Sequence, residues 1–460
     1  MQDPFEVATG EREPLPRAVS IERGFLALVM ALLCVITMGN VLVRYFTNIS
    51  FAFTEEISVS LMVVMTLAGL GTMSLPTNVY TGIAKYPLLA IPVFVLAGLI
   101  LERAGVAASI VRFASSIVGQ RRGGLATVAV LVAMILGGIS GSGPADSAAV
   151  GAVMLPSMLR AGYPKPFIAA LIAAAGSTDI LIPPSIAFII YSLLVPQASV
   201  PALFAAGLIP GILSGLTLIA VASWLSVRHN FEAEYRDPRP PFWRSLKEAF
   251  WGLAAPIIIL GGMRSGWFTP TEAAVVAAFY GLFVGVFIYR SLAWCDVVDA
   301  LAESAEISAV ILPVVALASV FAYASSTLGT FDHLAKALVG TGTSEVLVLL
   351  GITLLLLIAG MFLDAISIYF IFLPLLVPVA LHFNWNLVWF GIIITMNLAI
   401  GQFHPPLGVN LMVTCRMSGV SMESTIPWVI WMVIAMTGTM LLVTFVPEIA
   451  LWLPRMLGYL

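Results

Sequence analysis

Three short polar stretches interrupt long apolar runs, and they contain the residues best suited to hold an ion or a carboxylate. They read ISGSGPADS, GSTDILIPPS and GQFHPPLGVN. Glycine and proline break a helix, and the broken backbone leaves carbonyl oxygens and helix N-termini without partners. Free oxygens suit a hard cation such as Na⁺, whereas helix N-termini favour an anion. The candidate residues are Ser140, Gly141, Ser142, Asp146, Gly176, Asp179, Ser185, Gly401, His404, Gly408 and Asn410.

One further acid, Asp364, stands in the apolar context GMFLDAIS. An ionisable residue inside a membrane segment indicates a functional site by default, because it is costly to keep there. Several of the other candidates also have a structural interpretation, in which the side chain only caps a helix or bonds to a nearby backbone group. That alternative applies to Ser140, Ser142, Asp146, Asp179, Ser185 and His404.

The composition predicts that these residues are carried by a membrane protein. The chain has 460 residues, of which 60% are hydrophobic and 10% charged, whereas soluble domains carry roughly 25% charged residues. The apolar runs are continuous and do not alternate with a period of two, so they predict membrane helices rather than a β-barrel. We therefore expect an all-α polytopic protein with more than ten full or half spans.

Charged residues are concentrated outside the apolar runs. Residues 1–24 form a polar tail that contains three arginines, and the largest polar insert, at about 226–250, is also rich in arginine. The positive-inside rule places both in the cytoplasm. Acidic residues interleave with the basic ones in the insert, which therefore predicts no nucleic-acid partner. The three cysteines lie far apart and predict neither a disulfide nor a metal site.

One acidic residue is predicted to have a purely structural role. In the stretch GWFTPTEAAVV, Thr269 can cap a helix, Pro270 suits the first helical position, and Glu272 stands three residues after the cap. This spacing is the capping box, in which the threonine and glutamate side chains bond to each other's backbone N–H groups. We therefore assign Glu272 to a helix start.

The polar stretches recur in two halves of the chain, at about 124–226 and 345–453. In each half an aspartate, Asp146 or Asp364, is followed ten residues later by a proline, and after an apolar helix comes a polar break that ends in Pro-Pro. Such a recurrence is typical of the internal repeats of secondary transporters, whose binding sites lie between the halves. The pattern predicts a coupled ion and anion site at the interface of the repeats.

Several ordered motifs resemble the large membrane subunit of tripartite ATP-independent periplasmic (TRAP) transporters over about residues 75–460. They are LLAIPVFVLAG, SGSGPADSAAVG, ILIPPSIAFIIY, GWFTPTEAAVVAAFYGL and NLAIGQFHPPLGVNLMV. The resemblance implies an inverted-repeat, elevator-type transporter with two re-entrant helical hairpins in the bacterial inner membrane. It also implies Na⁺-driven import of a small organic acid, such as a C4-dicarboxylate or a sialic acid, that a periplasmic binding protein delivers. No organic cofactor and no covalent catalysis are expected.

Carried over by motif, the resemblance divides the candidate residues between ion and substrate. The residues expected at Na⁺ are Ser140, Gly141, Ser142, Gly176, Asp364, Gly401, His404 and Gly408. Those expected at the substrate are Ser142, Asp146, Asp179, Ser185, Asp364 and Asn410. The chain departs from the family pattern at two of these positions, because the family usually has Thr at the position of His404 and more often Gly at that of Asp179.

The region before residue 75 resembles a different subunit. Residues 39–69, within a segment at about 25–74, look like the front half of the family's small membrane subunit, which is sometimes fused to the large one. The rest of that subunit and the opening helices of the large one are missing between about 70 and 85. This gap indicates a shortened natural or engineered fusion, or a sequence from which residues have been omitted.

Three alternative functions remain compatible with the sequence. The first is a sodium/dicarboxylate symporter that works without a binding protein. The second is an intramembrane aspartyl protease that uses Asp146 and Asp364, although the GxGD context expected around one acid is absent. The third is a membrane scaffold that does not transport, because of the apparent gap.

Overall fold

The computed structural model describes Tyr80, Ala84, Leu88 and residues 90–118, 121–231, 240–327, 344–363 and 365–460. All of them belong to one compact unit, Thr77–Leu460. The predicted cytoplasmic tail, the segment that resembles the small subunit and the acid Asp364 lie outside the described residues.

Regular structure within the described residues is helical and contains no strand. The first half comprises α1 (Ala90–Arg103), α2 (Val106–Val118), α3 (Gly124–Ser140), α4 (Gly143–Arg160), α5 (Lys165–Gly176), α6 (Ile186–Leu194) and α7 (Val200–Arg228). The middle comprises α8 (Phe242–Arg264), α9 (Pro270–Phe283), which continues as a π-helical turn over Val284–Ile288, and α10 (Trp294–Thr327). The last part comprises α11 (Glu345–Gly360), α12 (Ala365–His382), α13 (Leu387–Gly401), α14 (Val409–Ser418), α15 (Met422–Phe445) and α16 (Glu448–Met456).

Five of these helices are long and apolar enough to cross a membrane by length and composition: α7, α8, α9 with its π-helical turn, α12 and α15. Four shorter apolar helices, α3, α5, α11 and α13, end at or beside the predicted polar breaks. The predicted fold class, an all-α polytopic membrane protein with two helical hairpins, is confirmed.

The same order of elements occurs twice. The first hairpin, α3 and α4, is followed by α5, a break at 177–185, α6 and the long helix α7. The second hairpin, α11 and α12, is followed by α13, a break at 402–408, α14 and the long helix α15. Helix α5 packs against α14 and α15, and α13 packs against α7, so the two breaks lie in the same core. Both breaks contain a cis Pro-Pro peptide bond, at Pro183–Pro184 and Pro405–Pro406.

Helix boundaries differ from the apolar pattern in two places. One largely apolar run covers about 427–453, but α15 ends at Phe445 and α16 begins at Glu448, because Pro447 has no N–H group to continue the helical ladder. The apolar run that forms α1 is also not followed by a loop. The chain instead bends by 66° into α2 at Gly105, whose φ of 77° favours glycine.

The start of α9 is the predicted capping box. The Thr269 hydroxyl accepts a hydrogen bond from the Glu272 N–H at 3.3 Å, and the Thr269 N–H donates to Glu272 Oε2 at 2.8 Å. Glu272 therefore stabilises a helix start, as predicted.

Candidate functional site

The tip of the first hairpin is held by a serine and an aspartate. Ser140 donates a hydrogen bond from Oγ to Asp146 Oδ1 at 2.6 Å, and Ser140 Oγ accepts one from the Ser142 N–H at 3.2 Å. Gly141 turns the chain between α3 and α4 with a φ of 61°. Asp146 thus stabilises the tip through its bond to Ser140 and does not cap α4. The N-cap residue of α4 is Ser142, whose side chain makes no cap bond.

The first break is closed by its own side chains. Asp179 is fully buried and accepts a hydrogen bond from the Ile180 N–H on Oδ1. Ser185 donates from Oγ to the Ile180 carbonyl oxygen at 2.7 Å. Ser185 therefore stabilises the irregular backbone, and its side chain makes no cap bond to α6.

The hairpin tip and the first break are packed closely against each other. A Cβ atom at Gly141 would lie 2.8 Å from the Pro184 carbonyl oxygen, and one at Gly176 would lie 2.1 Å from Ser147 Oγ. Larger residues at these two positions would separate the elements. The close contact places Asp146 and Asp179 near enough to interact electrostatically.

The second break is organised around an asparagine. Asn410 is fully buried, and its N–H donates to the Gln402 carbonyl oxygen at 2.9 Å. Its Nδ2 donates to Gln402 Oε1 at 3.1 Å and to the Ala173 carbonyl oxygen on α5 at 3.4 Å. One side chain therefore ties the second break both to itself and to the helix that leads into the first break.

His404 and Gly408 shape the backbone of the second break. His404 is half-buried, and its Nδ1 donates to the carbonyl oxygen of the neighbouring Pro405. Gly408 has a φ of 41°, and a Cβ atom there would lie 2.9 Å from the His404 carbonyl oxygen. The imidazole is thus engaged within its own break and does not cap α14.

The structure brings the first hairpin to the second break across the repeat interface. A Cβ atom at Gly143, the first residue of α4, would lie 2.4 Å from Gln402 Oε1 and 2.8 Å from Asn410 Nδ2. Gln402 is not among the residues predicted from the sequence. Its signal was available, since it is an amide that directly follows Gly401 inside the break.

The second hairpin is packed against the second break in a comparable way. A Cβ atom at Gly401 would lie 2.6 Å from the Gly360 carbonyl oxygen. Asn397, four residues before Gly401 on α13, is fully buried and donates from Nδ2 to the Ile393 carbonyl oxygen at 3.0 Å. Asn397 is a second residue that sequence reasoning missed, because it lies before the break on a helix that is otherwise apolar.

Several buried acceptor oxygens in this region have no hydrogen-bond partner among the described residues. They are Asp146 Oδ2, Asp179 Oδ2, Asn397 Oδ1 and Asn410 Oδ1. Nearly all buried polar atoms in proteins are paired, and one that is not needs a ligand, water or ion to explain it. A set of orphaned oxygens, with hydroxyls and open helix ends beside them, fits the chemistry of a hard cation such as Na⁺.

The chain is similar to known transporters in sequence and in fold. Residues 25–449 match the family model described as the tripartite ATP-independent periplasmic transporter, DctM component. A solved structure, that of the YdaH transporter of Alcanivorax borkumensis, matches 93% of this chain and 99% of its own with a TM-score of 0.54. At 15% identity that likeness concerns the fold alone.

Three TRAP transporter permeases are similar to this chain in sequence over most of its length. The C4-dicarboxylate TRAP transporter large permease protein DctM of Pseudomonas aeruginosa is 38% identical over 389 residues, which cover 84% of this chain and 90% of the relative. The isethionate TRAP transporter permease protein DctMQ of Oleidesulfovibrio alaskensis is 36% identical over 412 residues, or 87% of this chain. The sialic acid TRAP transporter permease protein SiaT of Haemophilus influenzae is 33% identical over 373 residues, or 81% of this chain.

This chain spans 65% of the length of DctMQ and 60% of that of SiaT. The family model and these identities confirm the resemblance of the sequence motifs to the large membrane subunit. The chain belongs to the DctM family of tripartite ATP-independent periplasmic transporters.

Proposed function

We propose that the chain is the membrane subunit of a Na⁺-coupled importer of a small organic acid. The observation that carries this proposal is the set of orphaned, buried oxygens in and beside the first hairpin tip and the two breaks. The names of its relatives support an organic acid, because C4-dicarboxylates, sialic acid and isethionate are all organic anions. Because the substrates named for these relatives differ, we propose only the broad substrate class of small organic acids.

The coupling ion is proposed to bind at the hairpin tips and breaks. At the first hairpin and the first break, the candidates are the hydroxyls of Ser140 and Ser142, the backbone of Gly141 and Gly176, and Asp146, which the motif resemblance assigns to the substrate and which we move to the ion side. At the second break, they are the backbone of Gly401 and Gly408, with His404 and Asp364 as further predicted members. We add Asp179 to the ion side, because a buried carboxylate attracts a cation and repels a carboxylate substrate.

The anionic group of the substrate, a carboxylate in the dicarboxylates and sialic acid, is proposed to bind at two helix N-termini. Helix α4 begins after Ser142 and α14 begins after Gly408, and neither start has a side-chain cap. Uncapped N–H groups and the helix dipole attract an anion. Ser142 and Asn410 stand at these two starts, and the contact of Gly143 with Asn410 brings the starts together. The earlier substrate candidate Ser185 has its hydroxyl bonded inside the first break.

Partners and location follow from the family as further parts of the proposal. They are a periplasmic substrate-binding protein that delivers the acid, a small membrane subunit that is partly fused here, and the bacterial inner membrane with the N-terminus in the cytoplasm. A transporter family also argues against the protease alternative, in which Asp146 would be a catalytic acid.

Transport in liposomes tests this function. The full chain is reconstituted with a small membrane subunit, and a Na⁺ gradient is imposed in the presence of a candidate binding protein and radiolabelled succinate, sialic acid or isethionate. We expect uptake of one of these acids that requires both the gradient and the binding protein. Uptake that ignores the gradient overturns Na⁺ coupling, and uptake that persists without the binding protein supports the independent symporter.

A further inference from the structure

The second break contains one side chain with unused hydrogen-bond donors, and the proposed transport site does not employ it. Gln402 directly follows α13 and is half-buried. Its Oε1 accepts from Asn410 Nδ2 at 3.1 Å, its N–H donates to the Leu398 carbonyl oxygen, and its carbonyl oxygen accepts from the Asn410 N–H. Its Nε2 makes no hydrogen bond to any residue that the structure describes. Because a glutamine nitrogen carries two N–H donors, both are free for a ligand.

The orientation of the Gln402 amide is fixed by the groups behind it. The Ala173 carbonyl oxygen on α5 can only accept, so the fully buried Asn410 side chain must present Nδ2 to it, at 3.4 Å. The second N–H of that nitrogen then faces Gln402, which must present its oxygen. The Gln402 nitrogen is therefore turned away from Asn410, and this chain of amides ends in a donor.

The free donors lie beside the start of α4. A Cβ atom at Gly143, the first residue of α4, would lie 2.4 Å from Gln402 Oε1, so the Gln402 amide lies against that helix start. The N-cap residue Ser142 is half-buried, and its side chain makes no cap bond. An uncapped helix start attracts an anion. The Gln402 nitrogen adds two aimed donors to the N–H groups of this start.

Basic side chains are far from this place along the helices that surround it. In α3, α4, α5, α13 and α14 the basic residues are Arg160, Lys165 and Arg416. At 1.5 Å per residue, Arg160 lies about 26 Å along α4 from its start, and Lys165 lies about 12 Å before Ala173. Arg416 is exposed and lies about 10 Å along α14 from its start. An anion at the start of α4 therefore depends on neutral N–H donors.

We propose that Gln402 determines specificity by donating from Nε2 to an oxygen of the anionic group of the substrate, and that Asn410 positions Gln402. The inference rests on the proposed function and deepens it, because it assigns the anion to a particular neutral donor. The ligand is then an organic acid whose anionic group offers one oxygen to Gln402 and another to the N–H groups of α4. Carboxylates and sulfonates both meet this requirement.

Gln402→Glu tests the donor with the least disturbance, because glutamate has the same size and keeps the oxygen that Asn410 needs. Ionised glutamate has no donor, whereas protonated glutamate regains one O–H donor. We expect the affinity for the acid to fall roughly tenfold or more at about pH 8. It should recover in part towards about pH 5, where sialic acid and isethionate are still charged. A residue that only supports the fold would show no such recovery.

Gln402→Met separates the lost donor from the added charge. Methionine is similar in size, carries no charge and donates no hydrogen bond. This variant should bind the acid more weakly than the wild type at every pH and should not recover on acidification. The matched control is Gln197→Glu, which makes the same change on the exposed turn between α6 and α7. We expect the control to follow the wild type over the whole pH range.

Affinity is measured on the purified full chain in detergent with saturating Na⁺. Succinate, sialic acid and isethionate are titrated separately, and the rise in the midpoint of thermal unfolding gives the affinity for each acid. Each variant is first shown to elute as a single folded species. Either Gln402 variant decides the question if the other does not fold, since the first is read from its pH dependence and the second from its weaker binding.

The outcomes separate this inference from the proposed function. If Gln402→Met binds the acids with wild-type affinity, or if the affinity of Gln402→Glu is the same at both ends of the pH range, the role of Gln402 is wrong. Na⁺-driven uptake by the wild type would still support the proposed function in that case. If affinity is lost in Arg416→Gln and kept in both Gln402 variants, the guanidinium holds the anion instead. If no acid stabilises the wild type, this inference and the proposed substrate site fail together.

Discussion

Asn410 in the second half of the chain donates a hydrogen bond from Nδ2 to the carbonyl oxygen of Ala173 in the first half, at 3.4 Å. The bond joins α14, which follows the second break, to α5, which precedes the first. The same side chain also bonds to Gln402 and lies against Gly143 at the hairpin tip. A single amide thus connects the second break, the helix that leads into the first break and the first hairpin, at the place where the anionic group of the substrate is proposed to bind.

Replacing this amide is expected to impair transport more than stability. Asn410→Ala removes two donated bonds and leaves the Gln402 and Ala173 oxygens without that donor, at a cost of about 1–3 kcal/mol. We expect uptake per folded protein to fall at least tenfold. Uptake is measured in liposomes and stability by the midpoint of thermal unfolding in detergent.

The matched control is Asn386→Ala. Asn386 caps α13 by accepting from the N–H groups of Val388 and Trp389, away from the breaks. Its loss costs about 1 kcal/mol of stability and is expected to leave uptake per folded protein unchanged. Equal losses of uptake in the two variants would show that Asn410 acts only through stability.

The bond between Ser140 and Asp146 is expected to set Na⁺ affinity. Ser140→Ala removes a hydrogen bond to a charged group, worth about 1.5–3 kcal/mol, and one proposed ligand of the ion. The Na⁺ concentration for half-maximal uptake should rise roughly tenfold or more. Ser226→Ala is the control, because the buried Ser226 donates from Oγ to the Ala222 carbonyl oxygen within α7, away from the hairpin tip and both breaks. A Ser140→Ala variant with wild-type Na⁺ dependence would remove the first hairpin tip from the ion site.

A steric prediction concerns the second hairpin. Gly401→Ala places a methyl group 2.6 Å from the Gly360 carbonyl oxygen, and a backbone atom cannot move aside as a flexible side chain can. We expect the midpoint of thermal unfolding to fall by several degrees, which corresponds to an overpacking cost of about 1–3 kcal/mol. Gly351→Ala, within α11 and with no heavy atom within 4 Å of the new Cβ, should leave the midpoint unchanged or raise it. Similar midpoints for the two variants would contradict the close contact.

The capping box supplies a test of a purely structural assignment. Thr269→Ala removes the oxygen that accepts from the Glu272 N–H, and a lost cap costs about 1 kcal/mol. We expect a lower midpoint of thermal unfolding with unchanged uptake per folded protein. Loss of uptake without loss of stability would contradict the purely structural assignment of the Thr269–Glu272 pair.

The local parts of the site could be predicted because their signals lie within a few residues. Ser140, Gly141 and Asp146 stand in one motif, and the glycines and prolines that break the helices are visible in the sequence. The paired breaks could also be predicted from the sequence, since an aspartate, a proline and a Pro-Pro pair recur in the same order in both halves.

Contacts between distant segments could not be predicted in the same way. Glu102 lies on a helix that reads as a simple apolar span, and only the packing of α1 against the hairpin tip brings it to Asp146. Gln402 lies against Gly143 and Asn397 against Gly360, and both glycines are far away in sequence. The residue-level division between ion and substrate therefore stays a prediction.

The backbone contact between Gly360 and Gly401 also limits how the protein can evolve. Where main chains touch, any larger residue separates the hairpin from its break, so such positions tolerate almost no variation. Leu407 and Val409, by contrast, are exposed on either side of Gly408 at the start of α14. Substitutions at these exposed positions therefore leave the packing of the break unchanged, whereas a side chain at either glycine disrupts it.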